Sequence, residues 1–204
     1  MNGCCIVETR PFANLGGFIT DHLKYIPSDW GLTIYCSYKN RHLIKDVDFN
    51  RKTNIVVLED SDMNTNKYNK LLKSVTFWDS LPYDKVLIFQ TDSFILREGI
   101  EEFLEWDYVG AAWKFQEHGG NGGLSLRSVN LMKHICKIAH FTTRNEDVEF
   151  CNFMKTHNLG KLAPREVCHK FSVETIYGLG SLGCHAIDKW LKKNECENII
   201  NQYK

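Results

Sequence analysis

Residues 86–93 read Val-Leu-Ile-Phe-Gln-Thr-Asp-Ser, four apolar residues followed directly by four polar ones. A run that is apolar at every position is typical of a strand covered on both faces of a sheet. Similar short runs stand at 4–7, 32–36 and 55–58, and helical patterns cover about 14–25 and 68–78. This alternation predicts an α/β fold with a mostly parallel, Rossmann-like central sheet flanked by helices, in which residues 86–89 form a central strand.

The second half of the chain continues the pattern. It predicts a short helix at 100–104, a strand at 108–112, a glycine-rich segment at 119–123, and helices at 126–138 and 146–155. No repeat, low-complexity tract or Pro/Gly/Ser linker divides the sequence, so 204 residues predict a single compact domain over 1–204.

Composition argues against several classes of protein. The 25 basic and 25 acidic residues give a net charge of zero, without the basic excess of a nucleic-acid-binding protein. A hydrophobic content of 43% argues against disorder. The eight cysteines have irregular spacing and include no C-x-x-C pair, which favours reduced thiols over a disulfide framework or a zinc site. No signal peptide and no run of about 20 apolar residues is present, which predicts a soluble, cytoplasmic protein without a membrane span.

Three segments carry chemically suggestive residues, and each has a purely structural alternative. Asp92, at the carboxyl end of the central strand, either ligates a divalent cation that bridges nucleotide phosphates or caps a turn. The glycines at 119–123 either let the backbone approach a ligand or form a flexible surface loop, and Arg127 on the helix predicted after them is either a phosphate-binding fork or a surface residue. The acidic residues at 146–149 either stabilise a helix N-terminus or include a general base, while His185 is a metal ligand or a structural residue.

In this order the motifs resemble a family of uncharacterised glycosyltransferases with the GT-A fold, found in bacteria, fungi and large DNA viruses. The similarity extends from about Ile6 to Trp190. Its motifs are Glu8-Thr9-Arg10, Leu87-Ile88-Phe89-Gln90-Thr91-Asp92-Ser93, Tyr108-Val109-Gly110-Ala111-Ala112-Trp113, Asn121-Gly122-Gly123-Leu124-Ser125-Leu126-Arg127, Asn145-Glu146-Asp147-Val148, Phe171-Ser172-Val173-Glu174 and Gly183-Cys184-His185.

The resemblance implies a nucleotide-sugar donor, UDP-linked or related, bound mainly by the half of the chain at about 1–115. The other half, at about 116–204, would hold the acceptor, a glycan or another hydroxyl compound. The implied donor-binding residues are Glu8, Thr9, Arg10, Gln90, Thr91, Asp92, Ser93, Asn121, Gly122 and Gly123.

The resemblance also implies a Mn²⁺ or Mg²⁺ ion, with Asp92 and His185 as ligands. Because Gln90 replaces the first carboxylate of the usual Asp-x-Asp triplet, metal dependence is left open. Asp147 is the implied catalytic base of an inverting direct displacement, with Glu146 as the rival base. The alternative is a catalytically silent sugar- or nucleotide-binding module of the same fold. A nucleotidyltransferase ranks below both, because no basic residue accompanies Gly16-Gly17.

Overall fold

Six strands form a central sheet in the computed structural model, which describes residues 1–203. The order is β3-β2-β1-β4-β7-β6, with the first four strands parallel and β7 antiparallel to both of its neighbours. A smaller sheet has the order β5-β9-β8. The strands are β1 Gly3–Val7, β2 Gly31–Ser37, β3 Thr53–Leu58, β4 Lys85–Phe89, β5 Ser93–Ile95, β6 Tyr108–Ala111, β7 Asn121–Ser128, β8 Ser172–Val173 and β9 Gly183–His185.

Helices cover both faces of the central sheet. They are α1 Leu15–Leu23, α2 Thr65–Leu72, α3 Val75–Asp79, α4 Val129–Ile138, α5 Glu146–His157, α6 Arg165–Phe171 and α7 Lys193–Asn201, with short 3-10 turns at Arg41–Leu43, Ile100–Phe103 and Ile187–Lys189. Alternate residues of β4 point into two separate cores: Leu87 and Phe89 into one, Val86 and Ile88 into the other. The prediction of a central strand buried on both faces is therefore confirmed, as is the mixed α/β class.

The glycine-rich segment differs from its prediction as a loop followed by a helix from residue 126. Residues 121–128 form strand β7, and the helix begins only at Val129. Leu124 and Leu126 alternate with Ser125 and Arg127, which is the period-two pattern of a strand. The glycine on the neighbouring strand, Gly110, allows this pairing, because a Cβ there would overlap the Asn121 carbonyl of β7.

Two further helix predictions were incorrect. The continuous helical pattern over 68–78 is two helices, because the Ser74 side chain accepts a hydrogen bond from the Phe77 N–H and begins α3. The helix predicted at 100–104 is a 3-10 turn. The short strands β5, β8 and β9 had no clear sequence signal, yet they bring Asp92 and His185 together, since Ser93 pairs with His185.

Candidate functional site

A pocket of about 580 Å³ opens at the carboxyl ends of β1 and β4, where parallel α/β sheets bind ligands. We call it the strand-end pocket. Its lining comprises Val7, Glu8, Arg10, Met63, Asn64, Thr65, Tyr68, Gln90, Thr91, Asp92 and Lys189. Five of the predicted donor-binding residues are therefore brought together here, from two strands that lie side by side in the sheet.

Glu8 organises the first side of this pocket. Its buried carboxylate accepts hydrogen bonds from the Arg10 guanidinium at 2.6 and 2.9 Å and from the Thr91 hydroxyl at 3.2 Å. The Asn40 amide of the turn after β2 donates to the carbonyl oxygens of Glu8 and Arg10, at 2.7 and 2.9 Å. The Arg10 side chain is thereby directed into the pocket while most of it stays exposed to solvent.

Among the predicted donor-binding residues outside this pocket lining, Thr9 and Ser93 are buried in the turns around it. Thr9 is fully buried, and its hydroxyl accepts a hydrogen bond from the Met63 N–H at 3.1 Å. Ser93 is also fully buried and donates to the Gln90 carbonyl at 2.6 Å. Both residues shape the turns that carry the lining residues.

Asp92 stands between two cationic groups. Its Oδ1 lies 3.1 Å from His185 Nε2, and its Oδ2 accepts a hydrogen bond of 2.8 Å from Lys189 Nζ. The interaction with His185 is the largest influence on the Asp92 carboxyl, and with Lys189 it holds the pKa well below its usual range despite burial. Burial lowers the pKa of His185, but Asp92 and Glu174, 3.3 Å from Nδ1, outweigh that effect and raise the pKa to about 9.

This arrangement does not fit the Mn²⁺ or Mg²⁺ ion that the resemblance implies. Such ions take several oxygen ligands, and both oxygens of Asp92 already face a cation. Gln90 offers an uncharged amide, with its Oε1 3.3 Å from His185 Nε2. Within residues 1–203 no three His, Cys, Asp or Glu side chains form a group that could hold a metal ion. The metal dependence stays a prediction.

A second pocket, of about 120 Å³, adjoins the first and shares Thr65, Tyr68 and Gln90 with it. We call it the glycine pocket, and the two together the cleft. The glycine pocket is lined further by Asn69, Asn121, Gly122, Gly123, Asn145, Glu146, Asp147 and His185. The predicted base and the predicted glycine segment therefore lie in one place, although that segment is a strand end and not a loop.

Asp147 is held in the glycine pocket by backbone donors alone. Its Oδ2 accepts from the Gly122 N–H at 2.9 Å and its Oδ1 from the Val148 N–H at 2.7 Å. The side chain is 7% exposed. Burial first, and the nearby charge of Glu146 second, raise the pKa of Asp147 to about 6, against the opposing effect of the two N–H donors. A carboxyl with such a pKa is ionised at neutral pH and accepts a proton more readily than an ordinary aspartate.

Glu146, the rival base, is engaged elsewhere. Its carboxylate forms a two-point ion pair with Arg127, at 2.5 and 2.8 Å, and both side chains are buried. The guanidinium of Arg127 lies 4.8 Å from the centre of the Tyr108 ring and close to Trp78 and Phe150. The prediction that Arg127 lies on a helix, at the surface or facing a phosphate, is wrong, because its position on β7 directs it into the core.

Glycine is required where β7 meets the cleft. A Cβ on Gly122 would approach both Arg127 and Glu146, and a Cβ on Gly123 would overlap the His185 ring. Because these two positions have no side chain, β7 can pass close to the Arg127–Glu146 ion pair and to the His185 ring.

Sequence reasoning assigned no role to two cleft residues, Lys189 and Tyr68. Lys189 follows His185 by four residues but reaches Asp92 through the fold of the β5–β9 pair. Tyr68 lines both pockets, and its buried hydroxyl has no hydrogen-bond partner among residues 1–203. An unpartnered buried hydroxyl in a cleft is a candidate ligand contact, and the helical spacing of the sequence around it gave no such signal.

Residues 52–185, more than half of the chain, match the family described as protein of unknown function (DUF5672), and the chain belongs to that family. No curated protein matches the chain by sequence. Within residues 1–203, every helix is too short or too polar to span a membrane.

Solved structures with a similar fold include residues 1–349 of TarS from S. aureus, with a TM-score of 0.51 and 15% identity over 79% of this chain and 57% of that one. The glycosyltransferase GlyE of Streptococcus pneumoniae TIGR4 is also similar, with a TM-score of 0.46 and 14% identity over 67% of this chain and 36% of that one. HddC of Yersinia pseudotuberculosis has a TM-score of 0.45 and 14% identity, over 74% of this chain and 85% of that one. The chain thus spans about a third of GlyE and just over half of the TarS structure. At these identities the likeness concerns the fold alone, a mixed α/β domain with a mostly parallel central sheet.

Proposed function

We propose that this member of the family transfers a sugar from a nucleotide-sugar donor to a hydroxyl group of an acceptor, with inversion at the anomeric carbon. The proposal rests chiefly on one observation. Asp147, a buried carboxylate with a raised pKa, lines the glycine pocket, which adjoins the polar strand-end pocket in the same cleft. The strand-end pocket has the size and polar lining suited to a nucleoside diphosphate. The resemblance of the sequence motifs to GT-A glycosyltransferases supports the same conclusion.

In the proposed reaction the acceptor hydroxyl stands beside Asp147 and gives its proton to the carboxylate. The acceptor oxygen then forms a bond to the anomeric carbon. The bond from that carbon to the donor phosphate oxygen breaks on the opposite face, and its electron pair leaves with the nucleoside diphosphate. Asp147 is the better base, because Glu146 would have to leave a buried guanidinium unpaired to act.

The donor is a UDP-linked sugar or a related compound, and the acceptor is a glycan or another hydroxyl compound. Glu8 and Arg10, with the polar residues after β4, are proposed to bind the nucleoside and ribose. Asn121, Gly122 and Gly123 are proposed to face the sugar, since they line the glycine pocket next to Asp147.

A panel of nucleotide sugars tests the proposal by measuring nucleoside diphosphate release, first without an acceptor and then with candidate glycans. We expect Asp147→Asn to lower turnover by about 10²–10⁴-fold with little change in donor affinity, which is the range for loss of a general base. Glu149→Gln is the matched control, since it removes a first-turn acidic charge from the same helix outside the cleft. Unchanged turnover in Asp147→Asn would place the base elsewhere.

One observation favours a silent binding module instead. Gln90 stands where a carboxylate is usual, and the remaining carboxylate, Asp92, is already paired with two cations. A module of this kind would bind nucleotide sugars in the same panel without consuming them, either alone or with an acceptor. Detectable release of nucleoside diphosphate from any donor, lost in Asp147→Asn, excludes it.

A further inference from the structure

A lysine occupies the place at Asp92 where the resemblance implies a metal ion. Lys189 Nζ lies 2.8 Å from Asp92 Oδ2, and Lys189 belongs to the lining of the strand-end pocket. We propose that Lys189, and not a bound divalent cation, supplies the positive charge that faces the diphosphate of the donor. This inference deepens the proposed transferase function and rests on it.

The backbone fixes Lys189 next to Asp92. Strand β9 ends at His185, whose partner in the sheet is Ser93. The next residue, Ala186, donates its N–H to the Asp92 carbonyl at 2.8 Å, and Lys189 donates its own N–H to the Ala186 carbonyl at 3.1 Å. The turn that carries Lys189 is therefore tied directly to the backbone of the residue that Lys189 pairs with.

This turn also carries conformational strain. Ala186 has a φ of 47°, in the left-handed region that residues with a Cβ avoid. Strain of this kind persists where the surrounding structure holds it and is concentrated at functional sites. Here it sets the direction in which the chain leaves β9, and thus places the Lys189 side chain over the pocket.

The chemistry of an ammonium group suits the role. Lysine has three N–H donors, and the pair with Asp92 uses one of them, which leaves two for phosphate oxygens. Arg10 lines the same pocket but is paired with Glu8, on the side proposed to hold the nucleoside and ribose. A divalent ion placed at Asp92 would instead have to displace Lys189 from Asp92 Oδ2.

The same charge acts during transfer. When the bond between the anomeric carbon and the phosphate oxygen breaks, the electron pair stays on the nucleoside diphosphate, which gains negative charge. Lys189 offsets that charge without giving up its proton, as fixed cations at a leaving group do. The proton released in the reaction is the one from the acceptor hydroxyl, which passes to Asp147.

Calorimetric titration of the whole chain with UDP, GDP, CDP, ADP and dTDP tests the inference, each in EDTA and in Mn²⁺. For the nucleotide that binds, we expect affinities in the two conditions within about threefold of each other, and a loss of about tenfold or more in Lys189→Ala in EDTA, as for one charge-assisted hydrogen bond. Lys189→Arg should recover most of the affinity. The loss in Lys189→Ala should be smaller for the matching nucleoside monophosphate, which lacks the second phosphate.

Lys193→Ala is the control, since that lysine lies four residues further on with its side chain 92% exposed. We expect it to bind like the unmodified protein. Binding that requires Mn²⁺, or equal affinity of Lys189→Ala and the unmodified protein in EDTA, would overturn the inference and leave the transferase function standing. If no nucleoside diphosphate binds in either condition and no donor is consumed, the transferase function fails, and this inference fails with it.

Discussion

Replacing Glu146 by Gln tests whether this residue is a structural partner of Arg127 or a catalytic base. The variant keeps the shape of the side chain and removes its charge. In the folded protein the Arg127 guanidinium is fully buried, and Glu146 is its charged partner, through contacts of 2.5 and 2.8 Å. In the variant the buried cation would have one amide oxygen, the Ser125 hydroxyl, the Gly122 carbonyl and the faces of three aromatic rings around it, but no paired negative charge.

The expected cost follows from this burial. Breaking one partner of a buried ion pair costs about 3–5 kcal/mol. The amide oxygen of glutamine still accepts one of the two hydrogen bonds, so we expect the lower end, about 3 kcal/mol. Since domains have a total stability of about 5–15 kcal/mol, the variant should fold but unfold at a clearly lower denaturant concentration.

Urea unfolding followed by circular dichroism measures this difference. The double variant Arg127→Met/Glu146→Gln should be more stable than Glu146→Gln, because it removes the unpaired buried charge. Glu149→Gln is the comparison for an acidic residue in the first turn of the same helix. It removes a helix-dipole effect of about 0.3–1 kcal/mol and an ion pair of 3.7 Å with Lys73, but Lys73 keeps its hydrogen bonds to the Thr142 and Arg144 carbonyls, so the loss should be smaller than in Glu146→Gln. A Glu146→Gln protein with unchanged stability and no turnover would refute this reasoning and make Glu146 the base.

Three further predictions concern the cleft and the thiols. The value of kcat/KM should fall about tenfold per pH unit below pH 6, since Asp147, with its pKa raised to about 6, must be ionised to accept a proton; a flat profile between about pH 5 and 7 would contradict it. Gly123→Ala should lower turnover in the same assay by displacing His185, whereas normal turnover would show that the ring can move aside. A thiol reagent should modify at most two of the eight cysteines in the native protein, the half-buried Cys136 and Cys196, and rapid reaction of a third would contradict the buried positions of the rest.

Sequence reasoning was most successful where a single local pattern determines the outcome. The run at 86–89 is apolar at every position, which predicts a strand buried on both faces of the sheet. Such a strand places the polar residues that follow it at the ligand-binding edge of the sheet. The helix beginning at Glu146 was predicted for the same reason, because its acidic first turn is a local signal.

The failures concern contacts between distant segments. The glycines at 119–123 suggested a loop, but neighbouring strands supply the pairing that makes 121–128 a strand. The burial of Arg127 depends on a carboxylate 19 positions away and on rings from three other elements. Lys189 reaches Asp92 across 97 positions through a pair of three-residue strands that are too short to have a periodic signal.

The distribution of charge partners within the cleft favours Asp147 as the proposed base independently of any motif. Four carboxylates line it, and three of them, Glu8, Asp92 and Glu146, each face a cationic side chain. Within residues 1–203 the fourth, Asp147, forms no ion pair and is held by two backbone N–H groups. The environments push two of the carboxyl pKa values in opposite directions, below the usual range for Asp92 and up to about 6 for Asp147. Because a general base must gain a proton near neutral pH, only the second environment suits that task, while the first suits a permanently charged anchor for a cation.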